Sequence, residues 1–470
     1  MTTAKSASRV SSGTAPYPIN DLASLRQAMS EVEVQRLFCK KLAQNDNSKQ
    51  QIYLWRGNWG VINLLPLKSV SVERSQRQHF KAKLDFSWLL KGGQLCAAPS
   101  AQLIMYPDYP EIRLSGFLRG CPKSLAEKLR PVAKEDRNGK GVPDGRVLVL
   151  GVTPGGRIIA HLAAAGTLLA RELQLELDVA SINRWGVLHE INAKQSAAAI
   201  KNELLKKLAR LKGVELPPAR KMGSTTAPIK FTDDNAAGYT LEAYLGIPAN
   251  ARAEPDYKGW EIKAFSGSKI TVIEPEPDGG YYKKNGCRAF LRLYGKAGAN
   301  NKTRFVGQHK VGTTHASLGT TLKLVGYDPV AKKIINAKGS IKLIDKAGAT
   351  AASWSFASLL THWSTKHFQA AYVPYKRGSS GFNFVTKSQV LDPASGKRKN
   401  AHVVWICEGT DFAFFLHALF SHTAIYDPGS SILTTHLTQK SGGALKARNQ
   451  FRVSKRGIPD LYEEVTPAFL

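Results

Sequence analysis

The segment that most limits what this chain can fold into is GVELPPARKMGSTTAPIKFTDDNAAG, residues 213–238. Proline removes a backbone donor and glycine leaves the backbone unrestrained, so a stretch rich in both carries neither helix nor strand far. Residues 214–236 are therefore expected to link two folding units. The 470 residues agree, being about three typical domain lengths. The expected organisation is a disordered tail over residues 1–16, an α+β unit over 17–213, the linker, and a second unit over 237–470. The fold class is mixed α/β.

Periodicity fills in the units. Leu22, Leu25, Met29, Val32 and Leu37 recur at helical spacing. The runs QIYLWRG, HFKAKLDFSWLL, AQLIMYP and EIRLSGFLRG read as strands, and GRVLVLGVTPGGRIIAHLAAAGTLLARELQLE as a buried strand, a Gly-rich turn and an apolar helix. Ile200, Leu204, Leu208 and Leu211 make the stripe of a helix that closes the first unit. In the second unit GYTLEAYLGI reads as a helix, and GWEIKAF, KITVIEP and CRAFLRLYG as strands. A hairpin-like pair, TTLKLVGYD and GSIKLIDKAG, follows, then a helix in WSFASLLTHWSTKHFQA. The strands AAYVPYKR, GFNFVTKSQV and HVVWICEG, a helix in DFAFFLHALFSH and a basic tail complete the unit.

Charge points to the partner. Lys and Arg number 66 against 36 Asp and Glu, a formal +30, and such a field draws polyanions. A nucleic acid is the expected partner, ahead of a merely solvated basic surface or an anionic membrane. The five cysteines lie far apart with no CxxC pair, which argues against a zinc knuckle or a disulfide framework and fits a reducing cytoplasm. The start of the chain lacks the apolar core of a signal peptide, and DFAFFLHALFSHTAIYD is too short and too broken by His to cross a bilayer. A soluble protein without a membrane partner is expected.

Within this basic chain, EPDYKGWEIKAF (254–265) gathers two acids and a lysine around a turn. If Lys258-Gly259 is a two-residue turn, Tyr257 pairs with Trp260 and Asp256 lies opposite Glu261, with Cβ atoms about 5 Å apart. Like charges so placed need a cation between them, and oxygen ligands suit a hard one, Mg²⁺ above all. Strand alternation puts Lys263 on the face of Glu261. Such a metal polarises a phosphoryl oxygen and acidifies a water, Lys263 orients that water, and Glu242 on the preceding helix adds a carboxylate directly or through water. Phosphodiester hydrolysis is the chemistry this set serves. The spacing alone arises about once in ten chains of this size, and an exposed hairpin with a Glu–Lys pair carries it equally.

The wider stretch GYTLEAYLGIPANARAEPDYKGWEIKAF resembles the MvaI/BcnI family of restriction endonucleases and, more distantly, the MutH mismatch-repair nickase. The resemblance is carried by Gly238, Leu241-Glu242, Leu245-Gly246, Pro255-Asp256 and Gly259-Trp260-Glu261-Ile262-Lys263. It continues through LLTHWSTKHFQAAYV, GTDFAFFLHALFSHTAIYDPG and KARNQFRV, covering about residues 237–456. It implies a PD-(D/E)xK nuclease fold, a mixed sheet flanked by helices, and Mg²⁺-dependent cleavage of a short duplex DNA site, with Mn²⁺ as a substitute. Asp256, Glu261 and Glu242 would then hold metal and Lys263 would serve the water. A restriction or phage-defence role beside a DNA methyltransferase encoded nearby goes with that reading; a monomer is plausible and the oligomeric state stays open. It says nothing of the 200 or so residues in front. A strand-nicking enzyme of MutH type and a non-catalytic nucleic-acid binder stay open as alternatives.

Further DNA contacts are expected from Lys446, Arg448, Asn449 and Arg452, since Arg suits guanine and Asn adenine in the major groove. Lys376 and Arg377 in YVPYKRGSSG are expected to do the same. His362 and His367 read as core-edge histidines, and TPGG as a strand-to-helix turn rather than a phosphate loop, no Gly-Lys-Ser/Thr following it.

Overall fold

The computed structural model describes residues 18–56, 59–73, 78–109, 111–179, 183–191, 197–223, 226–233, 235–249, 255–364, 367–391 and 396–470. The tail expected over residues 1–16 lies outside them.

The first helix, Leu22–Glu31, starts where Asp21 accepts the Ser24 N–H at 2.8 Å and the Ser24 hydroxyl takes up the Asp21 N–H. It stops short of the expected Leu37. Glu33 turns left-handed (φ 62°), and the Val34 N–H closes back on the Met29 carbonyl. Leu37 instead enters the strand Arg36–Ala43, the third of a seven-stranded sheet. A second sheet of five strands pairs Gln51–Arg56, Glu111–Ser115, Gln102–Tyr106, His79–Lys83 and Ser69–Glu73. The chain crosses between the sheets at Leu84, between the strands His79–Lys83 and Asp85–Leu89.

One expectation fails here for a clear reason. The TPGG turn joins two antiparallel strands, Pro143–Val152 and Arg157–Ala163, with Gly151 opposite Ile159. A strand buried on both faces is a continuous apolar run, which periodicity cannot tell from a buried helix. The expected helix begins only at Leu168.

The second unit is built on a mixed seven-stranded sheet. Glu261–Phe265 runs parallel to Gln369–Arg377, which pairs antiparallel with Arg398–Glu408, and that strand in turn with Glu464–Phe469. On one face Ile262 and Ala371 pack with Leu204, Leu208 and Leu241, from the helices Ala197–Ala209 and Ala236–Leu245. On the other, Phe265, Ala370 and Tyr372 join a core that includes the helices Phe356–Trp363 and Phe412–Phe420. The expected strand CRAFLRLYG is the end of a helix, Gly280–Tyr294, interrupted at Gly286 (φ 80°). Cys287, Phe290, Leu291 and Tyr294 are spaced i, i+3, i+4, i+7, the helical signature that a short alternating window hides.

Packing also divides the chain differently from composition. The helix Ala197–Ala209 covers the second unit's sheet, and in the expected linker Glu215–Leu216 pairs with Phe382–Phe384. The larger core runs through both units, from Phe38 and Trp59 to Phe415 and Tyr462. Across the join, Trp59 donates its backbone N–H to the Asp411 carboxylate, and Asn63 donates to the Thr410 carbonyl at 2.6 Å. Among the described residues no helix is long and apolar enough to cross a membrane.

Candidate active site

The site begins with a helix end. Ala236–Leu245 terminates because Gly246 adopts φ 83°, letting the Ile247 N–H reach the Glu242 carbonyl at 2.9 Å. A residue with a Cβ resists that conformation, which is why Leu-Gly stands here. The helix lays Leu241 into the core and leaves Glu242 half-buried, close enough for its charge to act on Asp256 and Lys263.

The turn forms as its residues dictate. Tyr257 and Trp260 exchange both backbone hydrogen bonds at 2.8 Å, and Lys258 and Gly259 both have positive φ (47° and 93°), the tight hairpin geometry whose twist suits flanking strands. Lysine in that region is strained by about 1–2 kcal/mol, and Glu203 holds it there. One Glu203 oxygen accepts from the Tyr257 hydroxyl and the other from the Lys258 ammonium, each at 2.7 Å. Those bonds, from Lys258 first, keep the Glu203 carboxyl below its usual range. From the first unit, the Arg36 side chain lies against Gly259. Nothing in the sequence links Glu203 or Arg36 to a turn more than fifty residues away, so periodicity misses both.

Beyond Trp260 the backbone ladder of the hairpin ends, and a side chain continues it. Asp256 Oδ2 accepts the Ile262 N–H at 3.0 Å, which brings its carboxylate beside Glu261. Burial, then the charge of Glu261, pushes the Asp256 carboxyl up to about 8, against the opposing Ile262 N–H and Lys263. Glu261 is 1% exposed, and its Oε1 meets Lys263 Nζ at 2.6 Å, as strand alternation requires. Burial opposes the Lys263 charge, but Glu261 first, with Asp256 and Glu242, outweighs it and holds the ammonium above its ordinary pKa. Lys263 is thereby held as a cation beside Glu261. Tyr372, its partner in the neighbouring strand, is buried and bonded to the Tyr462 hydroxyl at 3.0 Å.

The donor set fits a hard divalent cation: oxygen ligands only, and two carboxylates close enough that one keeps its proton unless positive charge arrives. Among the described residues no three His, Cys, Asp or Glu side chains converge tightly enough to hold an ion by themselves. Of the two acids that act on Asp256, Glu261 has the larger effect and Glu242 the smaller.

The other expected contacts divide. Lys376 and Arg377 are exposed at the end of Gln369–Arg377, with Arg377 5.4 Å over the Phe382 ring. Lys446 is exposed and Arg448 half-buried. Asn449 is no base reader: it is 2% exposed, accepting from the Tyr426 hydroxyl at 3.0 Å and donating to the Tyr282 hydroxyl at 3.2 Å. Arg452 is tied to Asp427 at 3.1 Å and to the Lys269 carbonyl at 3.2 Å, so it braces its sheet. A polar strand residue is as often a buried brace as a reader, and sequence does not separate the two. His367 is fully buried, 4.6 Å from the Trp363 ring, a core histidine.

The sequence profile of the MvaI/BcnI restriction endonuclease family matches residues 205–462, more than half of the chain. Among solved structures the chain is similar to the restriction endonuclease MvaI–cognate DNA substrate complex, at 15% identity and a TM-score of 0.41, over 58% of this chain and 99% of that one. It is also similar to the restriction endonuclease MvaI in the absence of DNA, at 13% identity and a TM-score of 0.31, over the same shares. No curated protein matches.

Proposed function

We propose, from the premise that the chain belongs to the MvaI/BcnI restriction endonuclease family and is thus a site-specific DNA endonuclease, that it is a Mg²⁺-dependent PD-(D/E)xK enzyme whose working residues are Asp256, Glu261, Lys263 and Glu242. The observation that carries this reading is the Glu261–Lys263 ion pair placed by a strained turn beside the Asp256 carboxylate that accepts the Ile262 N–H.

When bound, a divalent cation supplies charge neutralisation at the phosphate and an acidified water. Asp256 and Glu261 would hold it, or Mn²⁺ in its place, and holding it would require Asp256 to give up its proton. Lys263, already cationic, donates hydrogen bonds to the attacking water and to the phosphoryl oxygen on which negative charge grows. Glu242 orders the surrounding water. The water oxygen bonds to phosphorus as one P–O ester bond to a sugar oxygen breaks, and the proton the water loses passes to solvent, which returns one to the departing sugar oxygen. The exposed cations Lys376, Arg377 and Lys446, with Arg448, hold the duplex backbone.

The reading includes a role in phage defence. A cell that contains such an enzyme needs its own copies of the site protected, which makes a cognate DNA methyltransferase the natural companion. Five free thiols suit the reducing cytoplasm. A monomer is the working form proposed.

Plasmid cleavage tests this. With Mg²⁺ the protein should give discrete linear fragments, and Asp256→Ala and Lys263→Ala should each slow cleavage by about 10²–10³-fold while DNA binding persists. Binding without cutting in Mg²⁺ or Mn²⁺ would leave a basic DNA-binding protein, and cutting of one strand only would favour a nicking enzyme.

A further inference from the structure

The first unit lies mostly outside the family match, and its surface includes a cleft of about 900 Å³. Strands of both sheets wall it: Lys41 from Arg36–Ala43, Tyr53 from Gln51–Arg56, Arg113 from Glu111–Ser115 and His189 from Leu188–Ile191. Six Lys and Arg side chains line it against three acids. We infer that this cleft is a second binding site for the backbone of duplex DNA, separate from the metal site.

The distribution of charge decides which anion it takes. At the floor, Lys40 is buried and already paired with Asp46. Lys41 is held by Asp178 at 2.6 Å and Arg113 by Glu111 at 2.9 Å. A pocket for one small phosphate would place an uncommitted cation at that floor. Here the cations that form no ion pair among the described residues are Lys49, Lys140 and Arg184, all exposed and contributed by three separate segments. Cations on an open rim suit a polymer of phosphates, whose condensed counterions are released to solution as these side chains neutralise it. His189 feels the same field. Its imidazole is held below the ordinary value by burial first, then by Arg184 and Lys41. Tyr109, 61% exposed, and Tyr53 offer flat faces for the sugars between phosphates.

The strand that carries Lys41 also carries Arg36, which rests on Gly259 of the catalytic turn. Five residues of strand separate them by roughly 16 Å, so one straight element connects the two sites. The inference rests on the proposed function only in taking DNA as the polyanion.

Salt dependence of binding tests it. A fluorescent 30-bp duplex is titrated with the full chain in EDTA across a salt series, and the slope of log affinity against log salt is compared between variants. Each phosphate contact contributes about 0.9 to that slope. The triple variant Lys49→Ala, Lys140→Ala, Arg184→Ala should lower it by about 2–3, whereas Lys263→Ala should change it by no more than about one contact's share. A triple variant with the wild-type slope overturns the inference. So does one that loses binding of inorganic phosphate or of a single-stranded oligonucleotide while its duplex binding is unchanged. Cleavage with Mg²⁺ is read separately: an inert protein whose slope still falls in the triple variant sinks the nuclease reading and leaves the cleft standing.

Discussion

At the scale of single residues, the account turns on Asp256. Its carboxyl is buried beside Glu261 and keeps its proton up to about pH 8, whereas in the unfolded chain it releases that proton near 3.8. Between those values the folded state binds a proton that the unfolded state does not, so stability falls as pH rises through the window. Metal-free wild type should therefore lose ground to Asp256→Asn from pH 5 to pH 8.5, as read by urea midpoints in EDTA. An equal difference at both pH values would mean that the Asp256 carboxyl is not perturbed. The sequence made this residue legible because a Pro-Asp, a turn and Glu-x-Lys fall in order. Asn449 was not legible in the same way, for its side chain is consumed by two buried tyrosine hydroxyls that lie 23 and 167 residues away in the chain. A single strand of sequence carries no record of such partners.

At the scale of elements, local chemistry was read well where one short segment decides the outcome. Lys258-Gly259 is such a case: a glycine, which tolerates positive φ, sits where the backbone needs it. The turn is also where an element-level prediction can be made. An added Cβ at Gly259 meets only ordinary contacts with Arg36, so Gly259→Ala is penalised by its φ of 93° and not by space. The variant should lose about 1–2 kcal/mol of stability and, because Asp256 and Glu261 are set by this turn, more than tenfold in cleavage rate. Thermal melts and single-turnover rates measure the two effects. Full activity would show that the turn's geometry does not position the carboxylates. Elements went unread where tertiary burial erases periodicity. Beyond Arg157 the strand Arg157–Ala163 is buried on both faces, and Cys287–Tyr294 is a helix whose stripe is short.

For the whole molecule, composition marked a boundary that packing does not keep. Pro and Gly in residues 214–236 suggested a linker, yet the preceding helix Ala197–Ala209 buries Leu204 and Leu208 against the catalytic sheet and clamps its turn through Glu203. With a core running from Phe38 to Tyr462, the two halves should unfold together. Calorimetry is expected to give one transition in which Asp411→Ala lowers the melting of the whole chain. Two transitions, only one of them moved, would show independent domains. The mixed sheet and its helices could be foreseen from periodicity and family resemblance, but not this interlock, which depends on contacts across the full length of the chain. The proposed function nevertheless rests on Asp256 and Glu261 being able to hold a cation, and calorimetric titration of the whole protein with Mg²⁺ in buffers of differing ionisation heat addresses that directly. Saturable binding is predicted, with about one proton released per ion near pH 7, less at pH 9, and none in Asp256→Asn. Binding without proton release at pH 7, or unchanged by Asp256→Asn and Glu261→Gln, would contradict it.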